Sequence, residues 1–169
     1  TGEVEVVGST IYHKTEYRER RNHYAIYSVN TKVDGFDTSR DAFLGAYRGA
    51  NNPEVVENGK ATNSMASGWY PIASHQINVI WLGETKSFVF VLGYIENPED
   101  QKWEAPGIIN KKPADAMLAK YQTDADVDKA FAALNAYWND LLSKYTVKSS
   151  NDKVDRMVNI WNQYQCMVT

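Results

Sequence analysis

Strand-like and helix-like stretches do not alternate in this sequence; one kind follows the other. Up to about Glu96 the chain is rich in Val, Ile, Tyr and Phe. Five stretches there predict β-strands: 4–8, 10–14, 24–30, 76–82 and 88–95. From Pro98 onward, apolar residues recur every three or four positions, which indicates helices. This order argues against repeated βαβ units and predicts an α+β chain with separate β and α layers or domains.

The last two predicted strands are close enough to form a hairpin. Residues 83–86, Gly-Glu-Thr-Lys, provide the turn between them. Every residue from Phe88 to Tyr94 is apolar or glycine. Because both faces of this strand are apolar, we expect it in the centre of a sheet.

A long irregular stretch, residues 34–71, separates the third strand from this pair, and turn residues occur throughout it. Loops of this length in compact domains are usually functional or pack against another domain. A short helix is predicted inside it over residues 40–44, with Asp37 or Thr38 as the N-cap.

The helical part begins with a helix predicted over 113–121, where Pro113 suits the first turn. A second helix follows from Thr123, and its apolar stripe is expected to be core. Residues 150–169 predict a final helix. From Met157 to its end this helix carries no formal charge, so we expect protein on most of its sides. We interpret the chain as a fragment of a larger protein.

The composition limits the classes of partner that the chain is expected to bind. The chain is 43% hydrophobic and 23% charged, with a net charge of −3. A nucleic acid or an anionic membrane would favour a basic surface, so neither is expected as a partner. The single cysteine, Cys166, excludes an internal disulfide and favours a reducing compartment, which predicts a cytoplasmic location.

Motifs for metal or nucleotide chemistry are absent. His13, His23 and His75 lack the spacing of a metal site, and we expect no metal ligand. Neither a P-loop nor Gly-x-Gly-x-x-Gly occurs, and the hydrolase elbow Gly-x-Ser-x-Gly is missing.

Asp37 and Asp41 form the carboxylate pair that is hardest to interpret. If the segment is helical they share a face, and such a pair can perform acid/base chemistry. The alternative is a capping aspartate with a salt bridge to Arg40 or Arg48. The basic run over residues 13–23 is equally open: it suits a phosphate or acidic partner, or a solvated connection between strands.

Two features suit a carbohydrate. Trp69 and Tyr70, in the long irregular stretch, provide flat aromatic faces. Asn159 and Gln163, on the final helix, carry amides that both donate and accept without charge. These amides suit sugar hydroxyls, and they equally suit the backbone of a neighbouring segment.

Several strings carry a resemblance to a known family. They are DRMVNIWNQYQ at 155–165, IYHKTEYR at 11–18, GFDT at 35–38, SGWYP at 67–71 and LGY at 92–94. Together they resemble the disaccharide phosphorylases of glycoside hydrolase family 94. The resemblance implies part of an N-terminal antiparallel β-sandwich over 1–96 and a helical linker over 97–147. It further implies that 148–169 is the first helix of a catalytic (α/α)6 barrel.

The resemblance also implies an activity. Such enzymes cleave a β-linked disaccharide with inorganic phosphate as co-substrate and no cofactor, and they invert the anomeric centre. Among them, this sequence looks most like those acting on cellobiose, which yields α-glucose 1-phosphate and glucose. The resemblance places the catalytic acid outside this chain, so no catalytic residue is assigned. Asn159 and Gln163 are the candidates for positions beside the substrate.

The implied partners are the remainder of the same polypeptide, a second subunit in a homodimer, and the disaccharide. This stretch would serve as scaffold and dimer contact. The alternative is a non-catalytic carbohydrate-binding β-sandwich module, with Trp69 and Tyr70 as its binding platform.

Overall fold

The computed structural model describes residues 2–15 and 22–169. The chain divides into two compact units, Thr1–Asp124 and Ala125–Thr169. The described strands all belong to the first unit, whereas the second is helical. The predicted α+β class, with antiparallel sheets followed by helices, is confirmed.

A five-stranded antiparallel sheet organises the first unit. In spatial order its strands are β5 (Ser67–Gly68), β1 (Gly2–Val7), β2 (Thr10–Thr15), β3 (His23–Val29) and β7 (Phe90–Glu96). Alternation of apolar residues along β1, β2 and β3 gives this sheet two apolar faces. The connection between β2 and β3, with most of the basic run at 13–23, lies outside the described residues.

A two-stranded sheet covers one face. It pairs β4 (Gly35–Ser39) with β6 (Pro71–Gln76), antiparallel and with an irregularity between Asp37 and Ser39. Between these strands lie the short helices α1 (Arg40–Leu44) and α2 (Glu54–Asn58). Residues of both sheets and the loop before β5 form the core of this side: Val4, Val6, Ile11, Tyr27, Phe36 and Ala66.

The segment that follows β7 covers the opposite face. It contains a 3-10 turn (Glu99–Gln101), the hairpin β8 (Trp103–Ala105) and β9 (Ile108–Ile109), and helix α3 (Lys112–Leu118). Its side chains pack on Tyr12, Tyr24 and Ile26. Gly93 suits the close approach of α3, because a Cβ there would meet the end of the Met117 side chain and would lie 3.1 Å from Ile26 Cγ1.

The predicted hairpin of strands 76–82 and 88–95 is wrong. β6 ends at Gln76 and pairs with β4 in the small sheet, whereas β7 pairs with β3 in the large one. Residues 77–89 therefore connect two sheets, and their turn joins no adjacent strands. β7 is also not central, since it lies at an edge of the described sheet. Leu92, on the face of β7 opposite α3, is 81% exposed.

The cap of α1 differs from the prediction. Ser39 is the N-cap, and its hydroxyl accepts from the backbone N–H of Ala42 at 3.5 Å. Asp37 and Thr38 belong to β4, where their side chains bind the loop over residues 62–66. Those long-range hydrogen bonds occupy the groups that capping would need.

The second unit consists of α4 (Asp124–Leu142) and a helical run made of α5 (Asp152–Arg156), a π-helical turn (Met157–Trp161) and α6 (Asn162–Val168). The predicted final helix is confirmed, with Asn151 as its N-cap. The expectation that the α4 stripe is core is wrong for the described residues. Leu134 is 49% exposed, because no described residue covers it fully.

None of the described helices is both long enough and apolar enough to cross a lipid bilayer.

Candidate functional site

The two amides singled out by sequence bind the connection between α4 and α5. The Oδ1 atom of Asn159 accepts from the backbone N–H of Val147 at 2.8 Å, and its Nδ2 donates to the Val147 carbonyl at 2.8 Å. Nε2 of Gln163 donates to the Tyr145 carbonyl at 3.2 Å. Both residues therefore hold the 145–147 backbone against the final helix. Their predicted place beside a substrate stays a prediction.

Asn159 and Gln163 face the same way because they lie four residues apart in one helical run, which contains a π-helical turn. Asn159 lies inside the turn and Gln163 one turn later, in α6. A π-turn inserts one extra residue into a helix, so the faces before and after it are offset. The apolar stripe read from an uninterrupted 3.6-residue period therefore does not continue unchanged across Met157–Trp161.

An open apolar groove of about 490 Å³ lies within the second unit, between α4 and α6. Gln163 lies on its wall together with the thiol-bearing residue Cys166, which is exposed. The other lining residues are largely aromatic or aliphatic, namely Tyr137, Trp138, Leu141, Leu142, Tyr145, Val158, Asn162 and Met167.

The aromatic pair occupies a corner of the first unit. Trp69 and Tyr70 lie between β5 and β6 and are 79% and 63% exposed. Tyr70 adopts a left-handed backbone conformation with φ of 56°. The guanidinium of Arg40 lies over the Tyr70 ring, 5.6 Å from its centroid. The structure thus adds a cation to the two rings that the sequence indicated.

A buried ionic cluster joins the large sheet to the segment that covers it. Its central carboxylate is Glu5, which lies 2.9 Å from Lys14 Nζ and 2.5 Å from Lys111 Nζ. Glu3 and Glu104 lie at its more exposed ends, each 3.0 Å from one of the lysines. Both lysines are almost completely buried.

The backbone of the β8–β9 hairpin completes this cluster. Lys14 Nζ donates to the Gly107 carbonyl at 2.9 Å, and Lys111 Nζ donates to the Ile109 carbonyl at 3.1 Å. The Ile109 N–H donates to Glu5 Oε1 at 3.0 Å. The cluster therefore fixes the hairpin on the sheet through hydrogen bonds to charged groups, which are stronger than neutral ones.

The pKa values of the groups in this cluster are shifted in the directions that favour their charged forms. Burial alone would raise the pKa of Glu5, but hydrogen bonds from Lys111, the Ile109 backbone and Lys14 outweigh it and lower that pKa. Burial would lower the pKa values of Lys14 and Lys111, and their bonds to glutamates raise both instead. All three groups are therefore ionised at neutral pH.

Asp37 is fully buried. Its carboxylate accepts from the backbone N–H groups of Thr62 (3.0 Å) and Ser64 (3.1 Å), and from both of their hydroxyls. Burial would raise its pKa, but the hydrogen bonds from Ser64 and Thr62 lower it. Asp41 lies apart, in α1 and exposed, so the two aspartates do not form a pair. Arg48 instead pairs with Glu57.

Two histidines are partly buried between the sheets. His13 Nε2 lies 3.0 Å from the Ile72 carbonyl, and the His75 ring stacks on Tyr27 at 4.8 Å. Burial lowers the pKa of both imidazoles. Among residues 2–15 and 22–169, no three His, Cys, Asp or Glu side chains are arranged to hold a metal ion.

The comparisons with known proteins define the class. Residues 1–124 match the family model of the glycosyl hydrolase 94 supersandwich domain. Residues 137–169 match that of the catalytic domain of the glycosyl hydrolase 94 superfamily. The chain belongs to the glycosyl hydrolase 94 family, which confirms the resemblance seen in the sequence. The helices from Tyr137 onward lie in the stretch that matches the catalytic domain.

Two curated relatives are similar to this chain at the level of individual proteins. The N,N'-diacetylchitobiose phosphorylase of Vibrio proteolyticus is 35% identical over 133 residues, which cover 78% of this chain. That of Vibrio furnissii is 35% identical over 134 residues, or 79% of this chain. In each case the match covers 15% of the relative's length, so the chain spans a small part of the relatives it matches.

The ionic cluster and the Asp37 network were not found by sequence reasoning. Lys14 lies two residues after Tyr12 and therefore on the same face of β2. Glu5 is paired with Tyr12 in the β1–β2 ladder, so both charged residues share the face that carries Tyr12. That register was the available signal. Lys111 is more than 90 positions away, and nothing local indicates its contact with Glu5.

Proposed function

We propose that this chain is part of an inverting disaccharide phosphorylase and serves in it as scaffold. One observation supports this most strongly: a single chain matches the supersandwich and catalytic-domain models of one family in succession. The relatives named above support phosphorolysis over hydrolysis, since both are phosphorylases.

The proposed reaction balances without a cofactor. A phosphate oxygen attacks the anomeric carbon of a β-linked disaccharide from the face opposite the glycosidic oxygen. The C–O bond breaks, and the leaving oxygen takes a proton from a carboxylic acid. Phosphate is already anionic at neutral pH, so it needs no general base. The acid and the cations that hold phosphate are expected in the remainder of the polypeptide.

The proposed substrate class is a β-linked disaccharide of glucose or N-acetylglucosamine. The sequence resemblance indicates cellobiose, which would give α-glucose 1-phosphate and glucose. The names of the relatives make N,N'-diacetylchitobiose the competing candidate. Gln163 is the better of the two substrate-side candidates in this chain, because within the described residues its amide makes one hydrogen bond, to the Tyr145 backbone. Asn159 uses both ends of its amide on Val147.

As scaffold, the first unit would position the barrel and contribute to a homodimer in the cytoplasm. The first two points rest on the family resemblance, and the location rests on the single cysteine. The buried cluster around Glu5 is consistent with a rigid scaffold, because it fixes the segment after β7 on the sheet.

The test uses the longer polypeptide with cellobiose and N,N'-diacetylchitobiose in separate reactions, each with and without phosphate. We expect one of the two to release a sugar 1-phosphate of α configuration, observed by phosphorus and proton NMR. Release of free sugars without phosphate would overturn phosphorolysis, and a β product would overturn inversion. Light scattering of the same sample tests the dimer.

A further inference from the structure

The corner formed by Trp69 and Tyr70 is anchored at both ends. Gly68, before it, pairs with β1 in the large sheet, and Pro71, after it, pairs with β4 in the small sheet. The chain therefore crosses from one sheet to the other in two residues. Because both flanking residues are held in ladders, the crossing has little conformational freedom, and its two side chains are presented outward.

The backbone of this corner is restrained further. Gly68 has a φ of 100°, which suits glycine, but Tyr70 has a φ of 56°, which is uncommon for a residue with a side chain. The Tyr70 carbonyl accepts from the N–H of Arg40 at 3.3 Å, which fixes this conformation. Non-glycine residues held in this way are concentrated at binding and active sites.

Arg40 adds hydrogen-bond donors with a defined orientation to the corner. Its guanidinium lies 5.6 Å from the centroid of the Tyr70 ring, within the range of a cation–π contact. The contact orders a long side chain beside an exposed ring. A planar guanidinium in this position presents several N–H donors at its edge in a fixed plane.

We propose that Trp69, Tyr70 and Arg40 form a binding surface for a neutral saccharide. An aromatic face suits the C–H face of a pyranose ring, and the edge of the Arg40 guanidinium suits its hydroxyl oxygens. The size of the surface favours this ligand over a protein. Two aromatic side chains offer roughly 150–250 Å² each, whereas a stable protein interface needs about 800 Å² per partner.

The proposed sugar binding rests on the geometry of Trp69, Tyr70 and Arg40 and not on the proposed phosphorolysis. Only the choice of β-linked sugars as probes rests on the proposed function. Failure of the two proposals is therefore distinguishable: sugar binding is measured on the 169-residue chain without phosphate, and phosphorolysis on the longer polypeptide.

The experiment is calorimetric titration of the chain with cellobiose and with N,N'-diacetylchitobiose. We expect saturable binding to at least one of them, with a dissociation constant on the order of 1 mM, as for a small exposed site. Trp69→Ala should weaken it at least tenfold. Trp81→Ala is the matched control, because Trp81 is also an exposed tryptophan of the first unit, outside the corner; it should bind as wild type.

Arg40→Lys tests the guanidinium separately, since it keeps the charge but removes the planar donors. We expect several-fold weaker binding with an unchanged circular dichroism spectrum. Absence of saturable heat with both sugars would overturn the proposal, and so would equal binding by wild type and Trp69→Ala. A packing role would give a different pair of results. The 169-residue chain would bind neither sugar, and Trp69→Ala would lower the melting temperature of the longer polypeptide.

Discussion

The amide of Asn159 lies against the backbone of Val147 and exchanges two hydrogen bonds with it, each 2.8 Å long. A side-chain amide here replaces a strand partner: it satisfies both the N–H and the C=O of one residue in an irregular connection. The connection from α4 to α5 is thereby tied to the π-helical turn in which Asn159 lies.

Asn159→Asp should loosen this connection. The carboxylate keeps the bond from the Val147 N–H but places its second oxygen against the Val147 carbonyl, about where Nδ2 donates. We expect a loss of about 1–3 kcal/mol in unfolding free energy of the second unit at pH 7, measured by urea denaturation. Hydrogen exchange at the Val147 amide should accelerate in Asn159→Ala, which removes both bonds.

Asn162→Asp is the control, because Asn162 is an exposed amide one turn along the same helical run. It should change stability by less than about 0.5 kcal/mol. Equal behaviour of the two aspartate variants would show that the paired hydrogen bonds do not hold the connection.

Glu5→Gln should destabilise the first unit at neutral pH by about 3 kcal/mol, because it leaves Lys14 and Lys111 short of a buried countercharge. The pKa of Glu5 is lowered in the folded state from 4.5. Its contribution is therefore present above about pH 4.5 and is lost as the pH falls through the lower folded value. The difference between wild type and variant should shrink accordingly in acid melts.

Glu84→Gln provides the comparison, since Glu84 is exposed and lies 3.8 Å from Lys86 in a surface pair. Such pairs contribute about 0–1 kcal/mol. A Glu5 variant no less stable than the Glu84 variant at pH 7 would contradict the role assigned to the cluster.

Asp37→Asn should destabilise the first unit, although the two side chains have nearly the same shape. The Asp37 carboxylate accepts from two N–H groups and two hydroxyls, and an asparagine NH2 would face donors with a donor. We expect a loss of about 2–3 kcal/mol, measured by thermal melting with circular dichroism. Asp41→Asn, at an exposed position of α1, should cost far less.

The same pair of variants tests catalysis in the longer polypeptide. If Asp37 is structural, the pH profile of phosphorolysis should keep its shape in Asp37→Asn at a temperature where the variant is folded. Loss of one limb of the pH profile would show that Asp37 has an acid/base role.

His75→Phe should stabilise the first unit under mildly acidic conditions. The described residues offer no hydrogen-bond partner to either ring nitrogen of His75, and burial lowers its pKa from 6.5. The neutral ring stabilises the fold above pH 6.5, and that contribution is lost as the pH falls through the folded pKa. Phenylalanine keeps the stacking on Tyr27 without this loss.

We expect the slope of stability against pH between about 5 and 7 to be smaller in His75→Phe, by urea denaturation at several pH values. His13 is unchanged in the variant and contributes to the slope that remains, since its pKa is also lowered by burial. An identical slope in both proteins would show that His75 does not titrate differently on unfolding.

The strands near the N-terminus of the chain could be predicted because their pairing is local. β1 and β2 are joined by a tight turn, so alternation of apolar residues determines both the strands and their register. β6 was not predicted, because the strand expected over 76–82 shares only Gln76 with it. Its partner β4 lies more than 30 residues earlier, and the strand expected over 88–95 pairs with β3 instead. Local patterning says that a segment is a strand, but not which sheet receives it.

The candidate site shows the same limit. Residue type was enough to select Asn159, Gln163, Trp69 and Tyr70, but their partners Val147, Tyr145 and Arg40 depend on tertiary contacts. Asp37 was read as a cap because its long-range bonds to Thr62 and Ser64 are invisible to a local rule. The family could be identified because several rare strings recur together along the chain.

The face of β7 opposite α3 has a practical consequence. Phe90, Leu92 and Tyr94 are exposed on a strand that lies at an edge of the described sheet. An uncovered apolar edge of this kind invites strand addition between molecules. The 169-residue chain should self-associate as its concentration rises, and Leu92→Lys should reduce this association.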